Sequence, residues 1–240
     1  MRNICLIGAT GKMGKAIQEI LESDCIIKGF SKANGDDFNN AVVSADVVID
    51  FSHADNVLPA LQTCMLNKKP YFCGTTNLNN NIFEAIKSAS ENIPVMYASN
   101  TSFGIAVLKK AVQLVTKEFG LSADIEISET HHRAKKDAPS GTALSLGEVA
   151  ACALGYKLEQ IKVTDRASNP RDNNVQIGFA SMRGGSIFGE HSVHFFAANE
   201  TIQLSHACLD RKVFAEGAVK VASWLCKQLP GFYTMEDMLN

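Results

Sequence analysis

Asn3-Ile4-Cys5-Leu6-Ile7-Gly8-Ala9-Thr10-Gly11-Lys12-Met13-Gly14 is the stretch on which the fold turns. A short, largely apolar run of buried-strand length passes into a turn with glycine at every third position. Residues 15–22 then place Ile17, Ile20 and Leu21 at helical spacing. Strand, glycine turn and helix make a βα unit. Such glycines let the backbone approach a diphosphate closely, while the helix N-terminus turns free N–H groups toward its charge. Gly8, Ala9, Thr10, Gly11, Lys12 and Met13 are therefore the expected dinucleotide-binding residues. A turn rich in glycine for packing alone has the same spacing, so the reading depends on the sequence around it.

Outward from this unit, residues 25–30, 45–51, 70–73 and 94–98 read as further strands, the second of them apolar through Val47-Val48-Ile49. Helical patterns occupy residues 56–67 and 82–91 between them. Strands alternating with helices predict a Rossmann-like, doubly wound parallel sheet. Ligands of such sheets bind beyond the carboxyl ends of the strands. Three loops with small polar side chains fall there: Asp50-Phe51-Ser52-His53, Gly74-Thr75-Thr76 and Ala98-Ser99-Asn100-Thr101. They suit a nicotinamide and its ribose.

Composition narrows the function classes. The chain has 240 residues, 46% of them hydrophobic, enough for a sizeable core in one large domain or two small ones. A net charge of -2 gives no basic field, so nucleic acid is not an expected partner. Seven cysteines lie scattered without C-x-x-C or another metal-ligand spacing, so no metal site is expected and they read as reduced core residues. Cys73 beside Gly74 is a possible nucleophile, but a small buried residue at a strand end is the better reading. The run Ile4 to Ile7 is too brief for a signal-peptide core, and no window suits a membrane span. These features predict a cytoplasmic protein.

The second half carries the densest chemistry. Residues 102–119 read as an amphipathic helix with Ile105, Leu108, Val112, Val115 and Phe119 on one face and Gly120 as the stop. An alternating strand at 124–130 then runs into Glu129-Thr130-His131-His132-Arg133-Ala134-Lys135-Lys136-Asp137-Ala138-Pro139-Ser140-Gly141-Thr142-Ala143. Paired imidazoles and cations stand directly before a helix that begins at Ser140-Gly141-Thr142. Such a helix start binds carboxylates or phosphates, and the cations add charge and proton donors, so an acidic substrate is implied. His131 and Lys135 are candidate proton donors, one titrating near neutrality and the other able to be brought toward it. Asp137 either caps the next turn or orients Lys135, and Arg133 reads as a solvent-facing or structural cation. Further strands are expected at 175–182, 192–197 and 201–206 in a largely antiparallel sheet, with a hairpin turn at 198–200 and a helix at 211–229. The segment 154–174 reads only as a polar surface loop.

From Glu126 and Glu129 through His131, Lys135, Asp137 and Pro139 to Ala143, this segment closely resembles the signature of the 4-hydroxy-tetrahydrodipicolinate (dihydrodipicolinate) reductase family. The resemblance spans the Gly8 turn, Gly74-Thr75-Thr76, the signature and the stretch from Arg183 to His191, essentially the whole chain. It implies an N-terminal dinucleotide domain at 1–101 completed by a helix from 211–240, and a smaller α+β domain at 102–210 for substrate binding, catalysis and tetramerisation. It further implies an NAD(P)H-dependent reduction of a small cyclic dicarboxylate in lysine biosynthesis. His131 and Lys135 would supply protons, His132, Ser140, Gly141 and Thr142 would bind substrate, and Gly74, Thr75, Thr76, Ala98, Ser99, Asn100 and Thr101 would touch the cofactor. A homotetramer is carried by the resemblance too, with Val193, Phe195, Ala197, Ile202 and Leu204 alternating on strands whose far face needs cover. The second strand ends Gly29-Phe30-Ser31-Lys32, without the carboxylate that usually accepts from an NADH ribose. Aligned by resemblance, Lys32 meets the 2′-phosphate, which predicts a modest preference for NADPH over NADH. Asp36 or Asp37 returning toward the ribose would instead allow dual use. The fold by itself also fits a dehydrogenase of another small acid or a non-catalytic dinucleotide sensor.

Overall fold

The computed structural model describes residues 3–21, 26–30 and 38–239. The chain divides into two compact units, Met1–Phe103 with Lys212–Asn240, and Gly104–Arg211. Its strands are β1 (Asn3–Ile7), β2 (Ile26–Phe30), β3 (Val47–Asp50), β4 (Tyr71–Cys73), β5 (Pro94–Tyr97), β6 (Asp124–His131), β7 (Lys162–Val163), β8 (Ile177–Arg183), β9 (Glu190–Phe196), β10 (Thr201–Ala207) and β11 (Gly231–Tyr233). Its α-helices are α1 (Lys12–Ile20), α2 (Phe38–Val43), α3 (Ala54–Leu66), α4 (Asn80–Ala89), α5 (Phe103–Phe119), α6 (Gly141–Ala153), α7 (Leu158–Ile161) and α8 (Lys212–Leu225).

In the first unit the sheet runs β11-β5-β4-β3-β1-β2, with every pairing parallel. Parallel strands covered on both faces need apolar residues at successive positions, which Ile4 to Ile7 and Val47 to Ile49 supply. Cys5, Ile7, Val48, Tyr71 and Val95 pack with Val57, Leu61, Cys64 and Ile86 of α3 and α4. The alternate residues Ile4, Leu6, Val47, Ile49, Phe72 and Met96 are equally buried. Helix α8 packs on α1 and against β3, β4 and β5. The three-residue strand β11 extends the sheet beyond β5; so short a run carries no readable periodicity, and pairing alone makes it a strand.

The second unit holds a sheet in the order β10-β9-β6-β8-β7. It is mixed rather than largely antiparallel: β9 runs against β6 and β10, but β8 is parallel to β6 and to β7. The reason is the crossover through α6 and α7, which returns the chain to the sheet in its original direction, whereas the tight turn before Thr201 reverses it. Helices α5 and α6 bury Ile105, Leu108, Val112, Leu146 and Ala150 against Ile125, Ile127, Phe179, Val193 and Phe195. Ala197, Ile202 and Leu204 pack on this same core. Their alternation thus serves the unit's own interior.

Two further expectations change. The polar stretch before β8 is anchored: Arg166 pairs with Glu126, and Arg171 reaches Asp124 and Glu126 at 3.0 Å each. The cysteines divide by position. Cys5, Cys64, Cys73 and Cys208 are buried, but Cys152 on α6 is exposed and Cys226, just beyond α8, is half-buried; Cys25 lies outside the described residues. Burial, then the charge of Asp50, pushes the Cys73 thiol up to about 12, so it stays protonated and is no nucleophile. Among the described residues no helix is long and apolar enough to cross a membrane, and no His, Cys, Asp and Glu cluster could hold a metal ion.

Candidate active site

Strand alternation builds the acid–base cluster of the second unit. In β6 the inward positions are Ile125, Ile127, Glu129 and His131, so the periodicity that buries two isoleucines also buries a carboxylate and an imidazole at the strand's end. Neighbouring strands add their own residues in register: Arg183 of β8 lies opposite His131, and His191 of β9 opposite Glu129. Glu129 is 2% exposed, His191 4% and His131 8%. The Glu129 carboxylate meets His131 Nδ1 at 2.6 Å through Oε2 and receives both terminal nitrogens of Arg183, at 2.9 Å on Oε2 and 2.7 Å on Oε1. The two imidazoles meet edge to face, centroids 5.1 Å apart. Gly189 leaves them room, since a Cβ there would lie 2.9 Å from His131 Nε2.

The charges settle accordingly. Burial raises the Glu129 carboxyl, but hydrogen bonds from Arg183, Ser181 and His131 outweigh it and hold the group down at about 2. Burial lowers His131, with Glu129 opposing that effect and Lys135 and Arg183 adding to it. Burial lowers His191 to about 4, helped by the nearby His131. The ground state is an ionised carboxylate and two neutral imidazoles at neutral pH.

The loop after β6 folds back on β8: Gly184 N–H donates to the His131 carbonyl, and His132 N–H to that of Ile187. His132 is half-buried, Arg133 and Lys136 are exposed, and Lys135 Nζ pairs with Asp137 Oδ1 at 3.0 Å. Of the two readings of Asp137, the orienting one has this contact. Ser140 caps α6, its hydroxyl accepting from Ala143 N–H and meeting His191 Nε2 at 3.1 Å. Its own N–H donates to Glu129 Oε1 at 3.2 Å. The N-terminus of α6, with Gly141 and Thr142, is thereby joined directly to the cluster.

In the first unit the parallel sheet brings the ends of β1, β3, β4 and β5 side by side. Gly8 has φ +83, and a Cβ there would sit 2.3 Å from the Phe51 carbonyl oxygen, so only glycine allows this turn. Gly11 is the N-cap of α1 and offers no side chain to its free N–H groups. Thr10, Gly11 and Lys12 are exposed, while Ala9 and Met13 are half-buried. This cradle fits a pyrophosphate, which would complete the uncapped helix start. Asp50 binds the next two loops together, accepting from the Ser52 hydroxyl at 2.6 Å and the Thr75 hydroxyl at 3.2 Å. Thr75 and Thr101 are buried, and Thr101 donates to the Phe214 carbonyl at 2.6 Å. Their hydroxyls hold the loops; Thr76 and Ser99 are exposed, with Asn100 half-buried and Gly74 and Ala98 buried. Ser31, Lys32, Asp36 and Asp37 lie outside the described residues.

The partners of His131 were missed from sequence. Glu129 stands two residues before it, which on a strand means the same face, and that signal was available. Arg183 and His191 come from other strands, and only pairing register reveals them.

A dinucleotide-type βα sheet in one unit and a buried proton-donor cluster beside a helix N-terminus in the other define a two-domain, nicotinamide-dependent oxidoreductase class. Solved structures share the fold: the dipicolinate-bound dihydrodipicolinate reductase from Paenisporosarcina sp. TG-14 has TM-score 0.77 at 18% identity, covering 99% of each chain. Aspartate dehydrogenase from Thermotoga maritima has TM-score 0.55 at 12% identity, covering 95% of this chain and 98% of its own. The family described as dihydrodipicolinate reductase matches with its N-terminal part on residues 2–101 and its C-terminal part on residues 104–239. The 4-hydroxy-tetrahydrodipicolinate reductase of Zymomonas mobilis is 44% identical, covering 99% of this chain and 96% of its own. That of Nitratiruptor sp. is 39% identical over the full length of both. The chain belongs to the dihydrodipicolinate reductase family.

Proposed function

We propose how this chain performs the reduction for which its family is named: NAD(P)H-dependent conversion of 4-hydroxy-tetrahydrodipicolinate to tetrahydrodipicolinate in the diaminopimelate route to lysine. Loss of water gives a conjugated dihydrodipicolinate ring. When bound, the nicotinamide supplies a hydride to ring carbon four. Negative charge then builds toward the ring nitrogen and its neighbouring carbon, and a proton must arrive. The observation that carries this reading is the buried Glu129–His131 pair joined to the N-terminus of α6 through Ser140.

His131 Nε2 is the proton-transferring atom, and Lys135, steered by Asp137, is the second donor. His132 and the N–H groups of Gly141 and Thr142 hold substrate carboxylates, with Ser140 fixing the turn. A dicarboxylate seated there adds the negative charge that favours a protonated His131, offsetting the effect of burial. The Gly8–Met13 turn holds the pyrophosphate. Gly74, Thr76, Ala98, Ser99 and Asn100 meet nicotinamide and ribose, while Thr75 and Thr101 shape their loops. Lys32 meets a 2′-phosphate, so NADPH is preferred over NADH. The protein works in the cytoplasm as a homotetramer built through its second unit, a reading supported by family likeness.

A coupled assay tests the activity: the product of dihydrodipicolinate synthase is supplied and oxidation of the reduced nicotinamide followed. Turnover that needs the synthase product is expected. Cofactor binding without turnover would replace the enzyme with a sensor, and a light-scattering mass of one chain would remove the tetramer.

A further inference from the structure

We propose that Glu129 is the positioning residue of this site: its single carboxylate locks His131 in the tautomer that leaves Nε2 open, and through the Ser140 N–H it ties that imidazole to the start of α6. The proposal deepens the reading above and takes the substrate from it.

The argument rests on which groups can donate. Besides the Ser181 side chain, the carboxylate is met by two Arg183 guanidinium nitrogens and one backbone N–H, all donors without acceptor capacity, and by His131 Nδ1. The paired Arg183 guanidinium and these hydrogen bonds keep the group an ionised carboxylate, an acceptor only, so His131 Nδ1 at 2.6 Å is a donor too. A neutral His131 then carries its hydrogen on Nδ1 and a lone pair on Nε2. When the protonated form acts, the Nε2–H bond breaks, its electron pair stays on nitrogen and the proton passes to the reduced ring. The Nδ1–H to carboxylate bond remains throughout, and no electrons leave or enter the imidazole. The titratable groups around His131 are Glu129 on its own strand, Arg183 from β8, His191 from β9 and Lys135 from the following loop. Glu129 is the one anion among these. Without it, the imidazolium would face Arg183 and a Lys135 whose own partner is Asp137.

Arg183 makes this arrangement one-directional. Held by two guanidinium hydrogen bonds, the carboxylate cannot rotate to present a protonated oxygen, and it does not take the His131 proton. The same oxygen that accepts from Arg183 Nη2 accepts from Ser140, whose hydroxyl meets His191 Nε2. A change at Glu129 therefore reaches both the proton donor and the carboxylate-binding helix start.

The test combines nitrogen-15 NMR of the histidines with kinetics of E129Q and E129D. In the resting wild-type protein, neutral His131 is expected to be protonated at Nδ1. E129Q should lose that preference and about 10²-fold in kcat, the low end of what a positioned acid–base group is worth. The limb on which its kcat falls with rising pH should move to lower pH. KM for the dicarboxylate should rise while KM for the nicotinamide holds, and E129D should recover part of the rate. A wild-type His131 protonated at Nε2 overturns the proposal, as does an E129Q that is slow but keeps the wild-type tautomer and pH profile. If E129Q does not fold, the wild-type tautomer decides with the same two outcomes. An inactive wild-type protein would instead sink the functional reading, since the tautomer is read without turnover.

Discussion

The phenol of Tyr71 donates to Asp50 Oδ2 at 2.7 Å from a fully buried position on the adjacent strand. Burial raises the Asp50 carboxyl, and donors from Ser52, Tyr71 and Thr75 oppose that rise. Burial also lifts the Tyr71 hydroxyl well above its usual range, so the phenol keeps its hydrogen. Tyr71→Phe removes one donor and little volume. A stability loss of ~1–3 kcal/mol is expected in urea unfolding, from a buried acceptor left short of a partner. A higher KM for the nicotinamide should accompany it, because Asp50 also holds Ser52 and Thr75. Wild-type stability would mean that the remaining donors suffice.

His131→Ala and Lys135→Met should each lower kcat by roughly 10²–10⁴-fold, the range for groups acting in the transition state. Steady-state kinetics separates the roles. If either variant keeps kcat and only KM rises, that residue binds substrate and does not transfer a proton.

Acid should weaken the second unit in a defined window. The His191 pKa falls from 6.5 to about 4 on folding, so the unfolded chain binds the proton more readily between these values. Its contribution is complete above pH 6.5 and is lost as pH falls toward 4, amounting to about 3 kcal/mol at one pKa unit per 1.36 kcal/mol. His131 and His206, both lowered, act in the same sense. Glu129, depressed from 4.5 to about 2, adds a further loss as pH falls through that lower range. Asp50, raised, has the opposite sign near the acidic end. Unfolding free energies measured from pH 7 to 4 should decline more steeply in the wild type than in His191→Gln. Equal slopes would show that His191 is not the buried titrating group.

Cofactor choice is tested at Lys32. Comparing kcat/KM for NADPH and NADH at low salt should show a modest NADPH preference that shrinks in Lys32→Ala, since the ammonium acts as a point charge without a guanidinium fork. A clear NADH preference in the wild type would leave the ribose to Asp36 or Asp37.

The local chemistry of this protein was legible in one dimension. Glycine at 8, 11 and 14 between an apolar run and a helical one means a βα turn wherever it occurs, because a positive φ and close backbone approach exclude side chains. His131, Lys135 and Ser140 could likewise be picked out, since a strand end, a loop and a helix cap follow from nearest neighbours in the chain. Non-local pairing was not legible. No periodicity distinguishes a β8 that runs parallel to β6 from one that runs against it, because alternation looks the same in either direction. The facing of Val193, Phe195 and Leu204 toward their own core was hidden for a similar reason: a pattern says that one face is apolar and leaves open what covers it.

What the sequence by itself determined is therefore the set of reactive groups and the elements that carry them. Only the tertiary structure decided their charge and direction. Glu129 and His131 share a face because a strand alternates, but Arg183 and His191 lie 54 and 62 positions beyond Glu129 in the chain and arrive by sheet register. Burial there sets carboxylate against imidazole in a medium where charge is costly. A pair that would be two ordinary side chains in water is held as one ionised acceptor and one oriented proton carrier.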